Sequence, residues 1–178
     1  MYTKAGGLFR HFDEAELGMC LRLNRVSARP RLRRLFARVS RLGDGLFWYA
    51  LMVSLLLLHG PAALGAVLHM VAVGVAGVLL YKLLKIRMVR ERPFITHAGV
   101  ALGTAPLDRY SFPSGHTLHA VAFTTVATAY YPGLTWLLTP FVALVMLSRV
   151  ILGLHYPTDV VAGALVGALL ASASFLVI

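Results

Sequence analysis

From residue 45 onward the chain alternates long uncharged stretches with short charged ones. The stretches from Gly45 to Tyr81 and from Tyr110 to Ser148 contain no Asp, Glu, Lys or Arg. At about 1.5 Å per residue, either one as a single helix would overshoot a hydrocarbon core of about 30 Å. Each holds a strong helix breaker, Gly60-Pro61 or Tyr131-Pro132-Gly133, so each should turn back on itself. The pattern predicts an all-α polytopic membrane bundle of about five transmembrane helices, at residues 46–59, 62–83, 116–131, 134–150 and 158–178.

The N-terminal segment, residues 1–44, has a different pattern. Apolar residues recur at three- and four-residue steps at Leu32, Leu35, Phe36, Val39 and Leu42, while arginines fall mostly on the other side. Pro30 stands where the first turn of a helix tolerates proline. We therefore expect a basic amphipathic helix that lies in the membrane interface and binds anionic head groups. The alternatives are a helix packed on its own protein and, less favoured, a nucleic-acid arm, because no aromatic pattern for stacking bases is present.

Composition supports a membrane protein. Of 178 residues, 58% are hydrophobic and only 13% are charged, and the mean hydropathy is +0.76, which excludes a disordered or ordinary soluble chain. The division is 1–44 as an interfacial segment and 45–178 as the membrane-embedded domain. The single cysteine, Cys20, can close no disulfide within the chain, and we expect a structural thiol. The first fifteen residues have no apolar region typical of a cleavable signal peptide.

Glycines within the predicted spans indicate where helices approach one another. Gly163 and Gly167 are four residues apart, and Gly74 and Gly77 are three apart. Such spacing lets helix backbones come close. Ordinary glycine content of membrane helices is an equal alternative.

Charge distribution predicts the orientation. Lys and Arg give 17 positive charges against 7 acidic residues, and none of the basic residues lies in the two tight turns at Gly60-Pro61 and Pro132-Gly133. Five antiparallel spans place the N-terminal segment, the 84–115 loop and the turn near Arg149 on one face. By the positive-inside rule this face is cytoplasmic, in a multi-pass protein of the cell (inner) membrane. Basic residues recruited by a site would also enter this count.

Three charged clusters lie at the ends of predicted spans on that face, at residues 85–93, 111–117 and 148–159. Cleavage of a phosphate ester needs positive charge for its oxygens, a nucleophile and an acid. Guanidinium groups can grip phosphate oxygens in pairs, and a helix N-terminus favours an anion. The candidate residues are the cations Lys85, Arg92 and Arg149, the helix start at Ser114 and Gly115, the imidazoles of His116 and His155, and Asp159, which can orient one imidazole.

The spacing of these residues resembles a known family. Lys-x6-Arg-Pro at 85–93, Pro-Ser-Gly-His at 113–116 and Ser-Arg-x5-His-x3-Asp at 148–159 resemble the complete signature of the type 2 phosphatidate phosphatase superfamily, which also includes vanadium haloperoxidases and glucose-6-phosphatases. The resemblance covers about residues 46 to 178. It implies a helical bundle that uses no metal and no cofactor and a lipid phosphate substrate, such as phosphatidate, phosphatidylglycerophosphate or a polyprenyl diphosphate.

The resemblance also implies a role for each site residue. His155 would be the nucleophile that forms a phosphohistidine, Asp159 would orient it, and His116 would protonate the leaving group. The phosphoryl group would be bound by Lys85, Arg92, Ser114, Gly115 and Arg149. Two alternatives remain open: a phosphotransferase that passes the phosphoryl group to another acceptor, and a non-catalytic anionic-lipid binder. The sequence leaves the oligomeric state open.

Other polar residues receive smaller predictions. Arg87 and Arg90, beside a span, are expected to anchor in lipid head groups, and Glu91 to pair locally with the flanking arginines. His119 lies one helical turn after His116, but a metal pair is disfavoured because no third ligand is evident. Residues 95–110 are expected to be a connector, with a lid over the site as the alternative. Removal of residues 1–43 is expected to weaken membrane anchoring or substrate delivery more than chemistry.

Overall fold

The five predicted spans correspond to five helices of the fold. A computed structural model describes residues 4–177, with side chains described from residue 12 onward. Its helices are α1 Lys4–Asn24, α2 Pro30–Arg41, α3 Phe47–His59, α4 Leu64–Arg87, the single turn α5 Pro93–Thr96, α6 Gly115–Tyr130, α7 Thr135–Ile151 and α8 Pro157–Ser174. The helices match the predicted spans within a few residues, because Gly60-Pro61 and Pro132-Gly133 begin short 3-10 turns where the breakers predicted reversals.

Three stretches of the described chain are long and apolar enough to cross a membrane. They are Pro30–Arg87, Pro132–Ile151 and Pro157–Ser174. The first joins α2, α3 and α4 across their turns, and α6, with 16 residues, is just shorter than the roughly 17 residues that a span needs. The all-α prediction is confirmed. The three candidate spans do not establish the predicted count of five.

Gly45 makes the bend between α2 and α3. Leu42–Leu46 forms a turn of π-helix, and Gly45 has φ of 132°, a left-handed conformation that a side chain would strain. The chain can therefore pass from the amphipathic α2 into the apolar α3 without a loop. The preceding residue, Asp44, is thereby placed at the N-terminal end of α3.

The amphipathic α2 packs partly on its own protein. Phe36 is buried in a cluster with Ile151, Leu152 and Leu154, whereas Leu35 and Leu42 are exposed. The helix begins at Pro30 as predicted. The C-terminal end of α7 and the turn that follows cover the buried part of the apolar face of α2, which supports the alternative of packing on its own protein for that part. The division at residue 44 stays a prediction.

Helices α6 and α8 approach most closely at two glycines, as their spacing predicted. A Cβ at Gly163 would collide with the carbonyl oxygen of Ser114, and one at Gly167 with that of Leu118. The absence of side chains lets the two backbones touch, which brings the start of α6 against the first turns of α8. Gly74 and Gly77 instead make room for the side chains of α6, chiefly Phe123 and Leu118.

The main apolar core lies between α3, α4, α6 and α7 and includes Trp48, Met70, Phe123, Leu138 and Val145. Away from the charged clusters, His69 contacts Tyr130 (3.2 Å) and Ser174 (2.7 Å). His69 is therefore a helix-contact residue. The charged residues collect at the opposite end of these helices, around the turn that joins α7 to α8.

Candidate active site

Six of the eight predicted site residues line one cavity of about 470 Å³: Lys85, Arg92, Gly115, His116, Arg149 and His155. They come from all three charged clusters. The other two are fully buried next to lining residues: Ser114 precedes Gly115, and Asp159 lies 3.7 Å from His155. The clusters, separated by up to 70 residues in sequence, therefore meet at one place.

The start of α6 is fixed by α8. The Ser114 amide donates a hydrogen bond to the carbonyl of Asp159 (3.0 Å), and the Ser114 hydroxyl contacts that of Thr117 (3.0 Å). The first amides of a helix have no partner within the helix, and Gly115 presents this helix start to the cavity. The position suits an anion.

Lys85 and Arg92 share one carboxylate. Lys85 Nζ lies 2.6 Å from both carboxylate oxygens of Asp108, and Arg92 Nη2 lies 2.8 Å from Oδ1. Burial by itself would raise the pKa of Asp108, but the hydrogen bond and charge of Lys85 and the charge of Arg92 hold it below its usual value. The Asp108 side chain is 40% exposed, so an ionised, accessible carboxylate stands on two of the candidate phosphate-binding cations.

Arg149 is buried with unused hydrogen-bonding capacity. Its Nη1 donates to the hydroxyl of Ser40 on α2, but among the described residues its Nε has no partner. A buried guanidinium with an unpaired N–H is costly unless a ligand completes it. Lys85, Arg92, Asp108 and Arg149, called here the cavity cluster, thus contain three cations and one carboxylate.

A glycine turn holds His155 next to Arg149. Gly153 adopts φ of 71°, the left-handed conformation that ends helices at glycine. The Arg149 carbonyl then accepts hydrogen bonds from the amides of Leu154 and His155, both at 3.1 Å. The turn explains the spacing between arginine and histidine in this motif, because the chain reverses within it and both side chains face the cavity.

The contacts of His155 define its tautomer. Its Nε2 lies 3.3 Å from Nη1 of Arg92, and since a guanidinium only donates, Nε2 accepts and is unprotonated. Burial, followed by the charges of Arg149, Arg92 and Lys85, lowers the pKa of His155 well below its usual value. The imidazole is therefore neutral, with a lone pair on the nitrogen that faces the cations.

The predicted orienting contact needs refinement. Asp159 Oδ2 lies 3.7 Å from His155 Nδ1, which is longer than a hydrogen bond. Among the described residues Nδ1 has no hydrogen-bond partner. The same Asp159 oxygen accepts the amide hydrogen of Tyr156 at 2.8 Å. Asp159 therefore lies next to Nδ1 of His155, the nitrogen it was expected to orient, but does not form a hydrogen bond with it.

His116 has an acidic partner that the sequence reasoning did not identify. Its Nε2 lies 3.4 Å from Oδ1 of Asp44, the residue placed by the bend at Gly45. The Asp44 carboxylate can accept a hydrogen bond from this nitrogen when the nitrogen carries the proton. His119, by contrast, contacts the carbonyls of Gly115 (2.8 Å) and Gly74 (3.2 Å) and ties α6 to α4.

Two expectations about charged residues were wrong. Arg90 is not a head-group anchor, because it is buried and bonded to acidic side chains. Glu91 pairs with the exposed Arg109 rather than with its neighbours. The reasoning also missed the carboxylates of Asp13, Glu16, Asp44 and Asp108. A usable signal was their rarity, since the chain has only seven acidic residues, and a carboxylate in so basic a protein tends to be paired.

The cavity also has a long apolar wall between α3 and α4, formed by Trp48, Met52, Val71, Val75, Val78 and Leu79. Val75 and Leu79 are 57% and 66% exposed, so the wall continues onto the outer surface of the bundle. The cavity therefore joins a cationic end to an apolar surface that can face lipid.

A comparison with protein families decides the relationship. The model of the PAP2 superfamily matches residues 64–178, more than half of the chain. The chain belongs to the PAP2 superfamily. This confirms the resemblance seen in the three motifs.

Curated PAP2 relatives have lipid-linked phosphates in their names. An undecaprenyl-diphosphatase of Sulfolobus acidocaldarius is 31% identical over 154 residues, 85% of this chain and 72% of that protein. A decaprenylphosphoryl-5-phosphoribose phosphatase of Mycolicibacterium smegmatis is 41% identical over 76 residues, which span 42% of this chain and 39% of that protein. The chain thus spans less than half the length of the second relative and a little more than two thirds of the length of the first.

Two solved structures share the fold. The crystal structure of Aquifex aeolicus LpxE superposes with a TM-score of 0.78 at 27% identity and covers 91% of this chain and 95% of that one. A transmembrane PAP2 type phosphatidylglycerolphosphate phosphatase from Bacillus subtilis gives a TM-score of 0.72 at 24% identity, over 95% and 88% of the two chains. The chain therefore has the multi-pass fold of membrane PAP2 proteins.

Proposed function

We propose that this protein removes a terminal phosphate from a membrane lipid through a phosphohistidine on His155. The observation that carries the proposal is the unprotonated Nε2 of His155, 3.3 Å from Arg92, in a cavity that also contains Lys85 and Arg149. A neutral imidazole beside several cations is a nucleophile aimed at an anion. The chain's own cations supply the charge stabilisation that such a transfer needs.

In the first step Nε2 of His155 attacks phosphorus. A P–N bond forms and the bond from phosphorus to the lipid oxygen breaks. The leaving oxygen takes a proton from His116, beside which the Asp44 carboxylate lies. Lys85, Arg92, Arg149 and the helix start at Ser114 and Gly115 bind the phosphoryl oxygens, and the Asp108 carboxylate must move aside or share its cations.

In the second step water attacks the phosphohistidine. His116, now neutral, takes a proton from the water as the P–O bond forms and the P–N bond breaks. Inorganic phosphate leaves, His155 returns to its neutral form and His116 is protonated again. A phosphotransferase would differ only in the hydroxyl that replaces this water.

For the substrate we propose a polyprenyl phosphate or diphosphate. The apolar wall between α3 and α4 suits a long hydrocarbon chain, since it extends from the catalytic histidines to the exposed Val75 and Leu79. A chain lying along it would keep its apolar surface in lipid while its phosphate reaches the cations. The names of the undecaprenyl and decaprenyl relatives support this class over phosphatidate.

Phosphate release by the purified full-length protein in detergent tests the function. The substrates are undecaprenyl diphosphate, undecaprenyl phosphate, phosphatidate and phosphatidylglycerophosphate, each with EDTA present. We expect phosphate release to be fastest from the prenyl substrates. When the transferred phosphate is labelled and the reaction is quenched, the protein itself should carry label that acid removes. The variants His155→Ala and His116→Ala should lose turnover, whereas His59→Ala, at an exposed histidine outside the site, should keep it. Full activity of His155→Ala would contradict the mechanism, and transfer of label to an added prenol would indicate a phosphotransferase.

We further propose five spans in the cell (inner) membrane, with the catalytic end facing the cytoplasm and anionic lipid head groups bound by the exposed arginines of α2. The support is that α2 packs beside the catalytic end, through Phe36 and Ser40. Its arginines at 31, 33, 34, 38 and 41 are exposed there. The positive-inside rule then assigns this end to the cytoplasm.

Labelling of single cysteines tests this orientation. Burial raises the pKa of the native Cys20 thiol to about 12 and leaves it 1% exposed, so it should stay silent toward an impermeant maleimide and need not be replaced. In spheroplasts, Gly133→Cys on the far turn should react and Arg31→Cys on α2 should react only after lysis. The reverse pattern would place the catalytic end outside.

A further inference from the structure

Arg90, at a position that the first motif leaves unspecified, is the centre of a second charged group. It is 2% exposed, and its guanidinium carbon lies 3.9 Å from the centre of the Tyr156 ring. Its Nη1 donates to Oδ1 of Asp159 (2.6 Å). Its Nε and Nη2 donate to Oδ1 of Asp13 (2.8 and 2.6 Å), and Nη2 also donates to Glu16 (3.0 Å). We call Asp13, Glu16, Arg90 and Asp159 the buried cluster.

Two of these carboxylates come from α1, in the segment that the sequence assigned to the membrane interface. Burial lowers the pKa of Arg90, but Asp159, Asp13 and Glu16 outweigh this effect and the net pKa is raised. Arg90 is therefore charged, and it draws acidic groups from α1 and α8 to one point. The contact joins residues 77 positions apart in sequence.

Glu16 also holds the start of α8 directly. Its Oε1 accepts the amide hydrogen of Thr158 (2.8 Å) and its Oε2 accepts the Thr158 hydroxyl (2.8 Å). Thr158 lies between His155 and Asp159 in sequence. α1 thus grips the short segment that carries both the nucleophile and its orienting acid.

Apart from Arg92 at Nε2 and an interaction with the Ser111 backbone, the His155 ring depends on this segment for its position. Among the described residues Nδ1 has no hydrogen-bond partner, and the nearest acid is Asp159, 3.7 Å away. The two oxygens of Asp159 are held by Arg90 and by the Tyr156 amide. If Arg90 were released, the carboxylate could turn away from Nδ1, and the tautomer with a free Nε2 lone pair would lose its support.

We propose that Asp13 and Glu16 of α1 are positioning residues for the nucleophile, acting through Arg90 and Asp159 on His155. This rests on the proposed function of His155. It replaces the expectation that the N-terminal segment serves anchoring more than chemistry. A purely structural alternative is that the two carboxylates only dock α1 on the bundle.

The test compares Asp13→Asn/Glu16→Gln with the parent, as full-length protein in detergent. We expect kcat to fall by about 10- to 100-fold, while KM changes by less than about twofold because the cavity cluster is intact. Asp13→Glu, which keeps the charge, should recover most of the loss. Glu91→Gln is the matched control, since it removes an acidic charge next to Arg90 in sequence without touching the buried cluster.

Nitrogen-15 NMR of histidine-labelled protein provides a readout that does not need turnover. The His155 signal is assigned with His155→Asn. In the parent we expect protonated Nδ1 and unprotonated Nε2, and in the double variant a mixture of tautomers. The NMR measurement tests the proposal even if the parent protein releases no phosphate. Absence of phosphate release would separately refute the proposed function.

An unchanged His155 tautomer together with unchanged kcat would overturn the proposal, and so would a loss of kcat matched by an equal loss of folded protein in thermal unfolding. If the double variant does not fold, Asp13→Ala alone removes the acceptor of two Arg90 hydrogen bonds and keeps the Glu16 contacts with Thr158. We then expect the same shift of tautomer at smaller amplitude. A parent-like spectrum for that folded variant would count against the inference.

Discussion

The two charged clusters beside His155 contain the same kinds of side chain in opposite balance. The cavity cluster has three cations, Lys85, Arg92 and Arg149, and one accessible carboxylate. The buried cluster has one cation, Arg90, surrounded by three carboxylates. The first is short of negative charge and open to a ligand, and the second is closed. Arginine in itself therefore does not mark a phosphate site; the unpaired N–H groups and access from the cavity do.

The largest effect should come from the cavity cluster. Arg149→Ala removes a buried guanidinium that has an unused donor, and we expect kcat/KM to fall about 10³-fold because a charge-stabilising group is lost. The thermal unfolding midpoint in detergent should fall less than in Arg90→Met, since among the described side chains no carboxylate bonds Arg149, whose hydrogen-bond partner is the Ser40 hydroxyl. The control is Arg31→Ala on the exposed side of α2. A loss under about tenfold would mean that the cavity cations do not bind the transferred phosphoryl group.

The buried cluster should respond in the opposite way. Arg90→Met leaves three carboxylates without their common partner, and breaking a buried ion pair costs about 3–5 kcal/mol. We expect a clear drop in the thermal unfolding midpoint, with kcat reduced in the protein that remains folded. Parent-like stability of this variant would contradict the view that the buried cluster holds α1, α8 and the loop before α5 together.

The pH profile separates the two imidazoles. Burial, followed by the charges of the cavity cations, lowers the pKa of His155. This group therefore stays neutral as the pH falls, and the acid limb of kcat/KM should lie well below the ordinary imidazole pKa of about 6.5. In the proposed mechanism the alkaline limb reports loss of the proton that the leaving oxygen takes. Lys85→Met should move the acid limb upward by roughly one pH unit, because a like charge is removed while Asp159 stays. An unmoved limb would show that the cations do not set this pKa.

Asp108 is the exposed member of the cavity cluster, and its effect should be smaller. In the free protein its carboxylate occupies Lys85 and Arg92, so inorganic phosphate must compete with it. Asp108→Asn should lower the inhibition constant of phosphate by roughly three- to tenfold. Weaker inhibition would instead indicate that Asp108 holds the two cations in place for the substrate.

The smallest effect belongs to an ion pair outside both clusters. Glu91 and Arg109 pair at 2.8 Å with the arginine largely exposed, and such pairs contribute at most about 1 kcal/mol. Glu91→Gln should change kcat/KM by less than about twofold. A larger change would show that the charge of Glu91 affects the site over a distance without direct contact. The two clusters would then not account for all the charges that act on the site.

Sequence reasoning succeeded where the determining interactions are local. The turns at Gly60-Pro61 and Pro132-Gly133 and the start of α2 at Pro30 follow from backbone geometry. The convergence of His116 and His155 on one cavity also followed, because antiparallel helices return their charged ends to the same side. Arg90 was misjudged because its position beside a span is typical of a head-group anchor, and nothing adjacent in sequence shows its partners.

By itself, the sequence determined the helical bundle, the six cavity-lining residues and the family, because hydrophobic runs, helix breakers and motif spacing act over a few tens of residues. Only the tertiary structure decided which charges pair. Asp13 meets Arg90 across 77 positions and Glu16 meets Thr158 across 142, and such contacts arise from the packing of α1 on α8. A buried charge is stable where folding places a partner next to it. The residues adjacent in sequence do not show which side chain that partner will be.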